Sequence, residues 1–243
     1  YLTLPKNKSS NLPLVVNVKS SPWGRDYWKF NEECQFLANR GYAVLQINHR
    51  GSIGFGRDFW QASFKQWGLA IQNDITDGVN HVIEKGIADP KRVAIYGKSW
   101  GGFSALAGVC FTPDLYACCV DYAGISNFFT LFRDLPPYWK PYLERMYTMV
   151  GNPEKDVALF KQISPIFHVD KIKVPILIAQ GENDPRVSEQ ETAMFVKKLK
   201  KQGVEATYLM KEGEGHLFSK QENRIEFYQT MEKFLDKHLK AKK

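Results

Sequence analysis

A serine held in a glycine-bounded turn between a strand and a helix constrains this chain more than any other feature. The turn reads Gly97-Lys98-Ser99-Trp100-Gly101-Gly102. Val93-Ala94-Ile95-Tyr96 leads in as a strand, and the small-residue run Phe103-Ser104-Ala105-Leu106-Ala107 leads out as a helix. In that setting G-x-S-x-G holds the serine on a strained turn with its hydroxyl exposed, and the glycines let strand and helix pass closely. The motif alone is weak, because a glycine-rich turn can carry an incidental serine. The flanking strand and helix favour a nucleophile elbow.

The rest of the chain alternates in the same way. Leu12–Val18, Tyr42–Ile47, Ala117–Tyr122, Val174–Gln180 and Glu205–Met210 read as strands. Phe30, Cys34 and Leu37 recur at helical spacing before Gly41, and Ile71, Ile75, Val79, Val82 and Ile83 form a second stripe. Ser188-Glu189-Gln190-Glu191 is a capping-box pattern that opens a helix ending near Gly203. Ile225, Tyr228, Met231 and Leu235 mark a closing helix. This alternation predicts an α/β protein with a mainly parallel central sheet flanked by helices on both faces. With the elbow it predicts the α/β-hydrolase fold as one catalytic domain over residues 1–243. Sites in such sheets form beyond the carboxyl ends of the strands.

Bulk properties exclude several classes. The 243 residues, 44% of them hydrophobic, suffice for a large core, and no run is long and apolar enough for a membrane helix. The formal charge of +7 draws partly on Lys237, Lys240, Lys242 and Lys243. No nucleic-acid motif or basic-aromatic stripe accompanies it, so a solvated basic surface is the reading. Cys34, Cys110, Cys118 and Cys119 form neither a CxxC pair nor a zinc pattern, which favours a reduced, cytoplasmic setting without excluding a disulfide. The chain starts at Tyr1 with no signal-peptide pattern, so a processed protein or a piece of a longer one is expected. No metal or organic cofactor is expected, since Asp74 and Asp77 lack a histidine partner and no phosphate-binding loop is present.

A serine hydroxyl needs a base to take its proton. In this fold the order is serine, acid, histidine. His168, His216 and His238 follow Ser99. His216, in Gly213-Glu214-Gly215-His216 just after the last strand, can reach the top of the sheet. His168 is read as structural and His238 as a surface residue. Asp184, in Gly181-Glu182-Asn183-Asp184-Pro185-Arg186-Val187, follows the preceding strand and is the candidate acid that orients His216, with Glu182 its competitor. The Trp100 N–H can donate to a developing oxyanion, and a second donor is expected from Lys19-Ser20-Ser21-Pro22-Trp23.

GKSWGG, GENDPRV, GEGH and NHRGSIGFG together resemble the catalytic domain of the prolyl oligopeptidase family, nearest to its acylaminoacyl-peptidase and dipeptidyl-peptidase branches. The resemblance implies a Ser99, Asp184, His216 triad and hydrolysis of peptide, acylamino or ester bonds. It also implies an N-terminal β-propeller, of which this chain carries no repeats, so a longer parent enzyme or a lone esterase is expected. Where many members carry HGGP, this chain reads Lys19-Ser20-Ser21-Pro22. Some branches put a tyrosine hydroxyl at the position of Lys19, so its ammonium or a nearby N–H, such as that of Ser20, is the oxyanion candidate.

Arg50, in the stretch matching NxRGS, is expected to support the site's architecture. Trp100 and Tyr122 are the residues expected to face substrate. Phe103, Phe128, Trp139 and Tyr142 are read mainly as core or cap packing, and the Asn127–Met149 segment as a cover for the site. The reading is a serine peptidase acting on short peptides. Its alternatives are a carboxylesterase on small acyl esters and a catalytically weak hydrolase-fold binding module. A homo-oligomer is compatible with either.

Overall fold

Strands and helices alternate along almost the whole chain in the computed structural model, which describes residues 1–240. Lys242 and Lys243 of the basic tail lie outside the described residues. The chain runs through β1 (Leu2–Thr3), β2 (Leu12–Val18), α1 (Glu32–Asn39), β3 (Ala43–Leu45), α2 (Arg57–Gln61), α3 (Ala70–Glu84), β4 (Ala88–Lys98) and α4 (Trp100–Phe111). It continues through β5 (Cys118–Tyr122), α5 (Phe128–Arg133), a 3₁₀ turn at Pro137–Tyr142, α6 (Leu143–Met149), α7 (Val157–Ile163), β6 (Ile176–Gly181), α8 (Glu189–Lys201), β7 (Ala206–Lys211) and α9 (Gln221–Leu239).

The seven strands form one sheet in the order β1-β3-β2-β4-β5-β6-β7. All neighbours run parallel except β1, which pairs antiparallel with β3 at the edge. Side chains alternate across a strand, so β2 feeds two cores, and all of its residues are buried. Leu14 and Val16 join Ile71 and Ile75 of α3, Phe103 of α4 and Phe195 of α8. Val15 points the other way, toward Leu37 of α1 and Phe227 and Met231 of α9. α4 lies against the sheet centre and is buried along nearly its whole length, as its small, apolar composition requires. The four cysteines are buried free thiols.

The differences from the sequence reading have local causes. β3 covers only the middle of Tyr42–Ile47. β4 begins at Ala88 rather than Val93, because Leu12 at the start of β2 pairs with Ala88. In α8 only half of the capping box forms: Ser188 Oγ accepts from Glu191 N–H (3.3 Å), while the Glu191 carboxylate reaches out of the helix. The apolar stripe of α9 runs through Phe227, Met231, Phe234 and Leu235, and Ile225 is exposed.

Candidate active site

The carboxyl end of β4 delivers Ser99 into a backbone conformation that L-residues rarely adopt, φ 57° and ψ −119°. Such strain costs roughly 1–3 kcal/mol and persists only where neighbours enforce it. Here Ser99 N–H donates to Tyr122 O (2.8 Å) and Ser99 O accepts from Phe103 N–H (3.1 Å). The crossing is tight. A Cβ on Gly97 would lie 2.1 Å from Gly101 O, and one on Gly101 would lie 2.5 Å from Val18 O. Only hydrogen at both positions lets α4 start this close to β2 and β4.

His216 comes from the loop between β7 and α9. Its Nε2 lies 2.8 Å from Ser99 Oγ and its Nδ1 2.7 Å from Asp184 Oδ2. Asp184, in the turn after β6, is buried, and its Oδ1 accepts the N–H groups of Arg186 (2.8 Å) and Val187 (3.0 Å). The amide of buried Gln180 approaches its Oδ2 at 3.3 Å. The fold therefore brings Ser99, His216 and Asp184 together. Glu182 turns outward and accepts Gly213 N–H (2.9 Å), bracing the histidine loop from outside. His168 instead bonds the carbonyls of Lys161 and Gln162, and His238 packs on Phe234 of α9.

The histidine loop is pinned by Glu214, which the sequence reading did not single out. Its carboxylate is fully buried and accepts Ser219 N–H and Oγ–H, Lys220 N–H and Asn223 Nδ2–H at 2.6–3.0 Å. Burial pushes this carboxyl up, but the four hydrogen bonds outweigh it and hold it at about 2. Gly181 allows the loop to cross the end of β6, since a Cβ there would meet Gly215 O at 2.2 Å.

A cleft of about 340 Å³ opens beside Ser99. Trp23, Trp67, Trp100, Ile125, Leu131 and Val150 make it mainly apolar, and Arg186 stands among its lining residues. Trp139, Tyr142 and Met146 close it from the Asn127–Met149 segment, which covers the site as expected. Phe103 and Phe128 pack edge to face (4.9 Å) in the core beneath. Tyr122 does not face the cleft, which corrects the expectation for it. It is adjacent to Asp121 on β5, so strand alternation turns its ring to the α9 face, against Phe218 and Phe227. Its hydroxyl accepts Phe218 N–H.

Lys19 also departs from its expected role. Its ammonium donates to Ile47 O (2.9 Å) and lines a different cavity, and burial holds its pKa down to about 8. Ser20, the next residue, does line the cleft with Ser99, and its N–H has no protein partner among the described residues. Trp100 N–H opens α4, where a helix leaves its first N–H groups free. Arg50 braces this corner: its Nε and Nη2 clamp the Asp74 carboxylate at 2.8 and 2.6 Å, and its N–H donates to the same group. Adjacent His49 packs on Trp100 (5.1 Å), and burial keeps its imidazole neutral with a pKa near 3.

The profile of the prolyl oligopeptidase family matches residues 28–242. The chain belongs to the prolyl oligopeptidase family of serine peptidases. It is 40% identical to dipeptidyl aminopeptidase BIII of Pseudoxanthomonas mexicana over 97% of its own length and 36% of that protein's. A puromycin-hydrolyzing peptidase of Mycobacterium tuberculosis superposes with a TM-score of 0.92 at 29% identity, covering all of this chain and 37% of that one. An acylaminoacyl peptidase solved with Z-Gly-Gly-Phe-chloromethyl ketone gives 0.89 at 26%, covering all of this chain and 40% of that one. The chain thus spans roughly two-fifths of these relatives or less. Membership agrees with the α/β-hydrolase architecture that the elbow predicted.

Proposed function

We propose that this chain is a hydrolase domain that cleaves amide bonds of short peptides after an apolar residue, through an acyl-enzyme on Ser99. One observation carries the reading: the unbroken relay from Ser99 Oγ to His216 Nε2 (2.8 Å) and from His216 Nδ1 to buried Asp184 (2.7 Å). In this reading His216 takes the Ser99 proton as Oγ bonds to the substrate carbonyl carbon. Asp184 holds the imidazole tautomer with Nδ1–H directed at it and stabilises the imidazolium. The tetrahedral oxyanion accepts from the N–H groups of Trp100 and Ser20. His216 then returns the proton to the leaving nitrogen, the C–N bond breaks, and water attacks the acyl-enzyme by the same relay in reverse.

The apolar cleft supports an apolar side chain on the acyl side of the bond. An aromatic residue buries about 150–250 Å² there, worth roughly 4–6 kcal/mol at 25 cal/mol per Å². A carboxylate against the apolar walls loses hydration with little return, since the one lining guanidinium, Arg186, is engaged over the Trp139 ring (5.5 Å) and donates to the Tyr138 hydroxyl (3.3 Å). The names of the relatives, a dipeptidyl aminopeptidase and an acylaminoacyl peptidase among them, favour amide over ester substrates. A panel of acyl-aminoacyl p-nitroanilides and matched esters tests the proposal. We expect kcat/KM for Phe, Leu or Pro at the scissile position to exceed that for Asp by at least about 10²-fold. A preference for charged residues, or turnover of esters with none of amides, would contradict it.

A further inference from the structure

We infer that the polar cavity behind the Lys19–Ser21 loop is the leaving-group site, and that it holds the free carboxylate of a departing amino acid or dipeptide. The inference rests on the acyl-enzyme reading above and adds the chemistry of the other half of the substrate. The cavity measures about 270 Å³ and is lined by Lys19, Arg25, Asp26, Glu33 and Lys98, with Ser20 and Ser21. The same two serines line the apolar cleft, so the two hollows lie on either side of one short loop. Trp100 lies in one and Lys98 in the other, and these residues flank Ser99 in the chain.

The sheet faces tell the two hollows apart. The apolar cleft draws on Trp67, Trp100, Ile125 and Leu131, which belong to the core on the α3/α4 face. The polar cavity is walled by Glu33 of α1, whose carboxylate accepts from Tyr228 of α9 (2.8 Å). That is the face from which the loop carrying His216 arrives. An acyl group seated in the apolar cleft leaves its amine under His216 Nε2, and the amine's own residue then continues toward the polar cavity.

The donor count argues for an anion. Glu33 Oε1 already accepts from Tyr96 and Tyr228 hydroxyls and from Lys98 (2.8, 2.8 and 2.9 Å). Asp26 Oδ1 accepts from Gln46 Nε2 (2.9 Å). Against these, Lys19 commits one proton to Ile47 O and Arg25 one to Gly54 O (3.2 Å). The Arg25 guanidinium lies over the Phe55 ring (4.3 Å), which leaves the Lys19 and Lys98 ammonium groups, with about six donors between them, beside Asp26 and Glu33. The depressed basicity of Lys19 reflects burial that Asp26 and Asp74 only partly offset. A substrate carboxylate would accept the N–H groups that Lys19 and Lys98 leave free after their bonds to Ile47 O and Glu33.

Matched peptides test this. N-acyl-Phe-Ala with a free carboxylate is compared with its C-terminal amide, and N-acyl-Phe-p-nitroanilide reports acyl transfer without any carboxylate. We expect the free acid to be cleaved on the order of tenfold faster in kcat/KM than the amide, a size suited to a charge-assisted pair. In the double variant Lys19→Met, Lys98→Met the acid-to-amide ratio should fall to about one. An acid-to-amide ratio of one or below in the wild-type chain, with the nitroanilide still hydrolysed, overturns the inference and leaves the acyl-enzyme reading standing. So does faster cleavage of a leaving lysine amide than of leaving alanine, because Glu33 and Asp26 would then be recognising a cation. Inactivity toward all three substrates overturns the acyl-enzyme reading and the inference with it.

Discussion

Glu214 and Ser99 divide the work of the site unequally: one is strained by it and the other stabilises it. Ser99 occupies a left-handed backbone conformation, held by two backbone hydrogen bonds. Glu214 presents an ionised, buried carboxylate that accepts four hydrogen bonds from the loop and the start of α9. Its folded pKa, about 2, lies below the usual 4.5. A depressed acid adds stability that is complete above the unfolded pKa and is lost as pH falls through the folded one. The contribution should therefore fade between about pH 4.5 and 2. Glu214→Gln should flatten the pH dependence of stability across that window in denaturant titrations followed by circular dichroism. An unchanged slope would contradict the assignment. The clustering of Ser99, His216 and Asp184 was legible in the sequence because the fold prescribes their order and each follows a strand. Glu214 was not, because a lone glutamate in a loop looks solvated until the turns that donate to it are known. Tyr122 was misread for a related reason: one residue along a strand reverses the face, and the sequence shows the strand without its register.

The elbow works only because β2, β4 and α4 touch through backbone. Gly101 is the clearest case, since an added Cβ would meet Val18 O at 2.5 Å and Lys19 O at 2.8 Å, both main-chain atoms with little freedom to yield. Gly101→Ala should push α4 off β2, misalign the Trp100 and Ser20 N–H groups, and reduce kcat/KM on nitroanilides by about 10²-fold or more. Activity near the wild-type level would mean that this close approach is unimportant. The helix α3 could be read directly from its apolar spacing and β2 from its unbroken apolar run, whereas α9 was legible as a helix but with its stripe placed on the exposed Ile225. The two-residue β1 and the short α2 could not, because so few residues carry no period. The segment from α5 to α6 was legible as a cover from its Trp, Tyr and Pro content. Its anchor was hidden: Glu191 looked like half of a capping box, yet its carboxylate spans to the Ser126 and Asn127 N–H groups (2.8 and 2.9 Å) and to the Thr130 hydroxyl. Local pattern predicted the cap, and tertiary contact took the side chain.

Across the molecule, the parallel sheet separates two chemistries and joins them at one serine. Residues of α4, α5 and α6 line an apolar hollow, Glu33 of α1 walls a polar one, and the carboxyl end of β4 runs between them to Ser99. The proposed activity depends on Ser99 being the group that bonds to substrate. Labelling with a fluorophosphonate, read by intact mass and peptide mapping, tests that most directly. The wild-type chain should gain one adduct, located on Ser99. Ser99→Ala should gain none, and His216→Ala should label at least about 10³-fold more slowly, because the hydroxyl then lacks its base. An adduct that persists on Ser99→Ala, or a folded wild-type chain that gains none, would contradict the account.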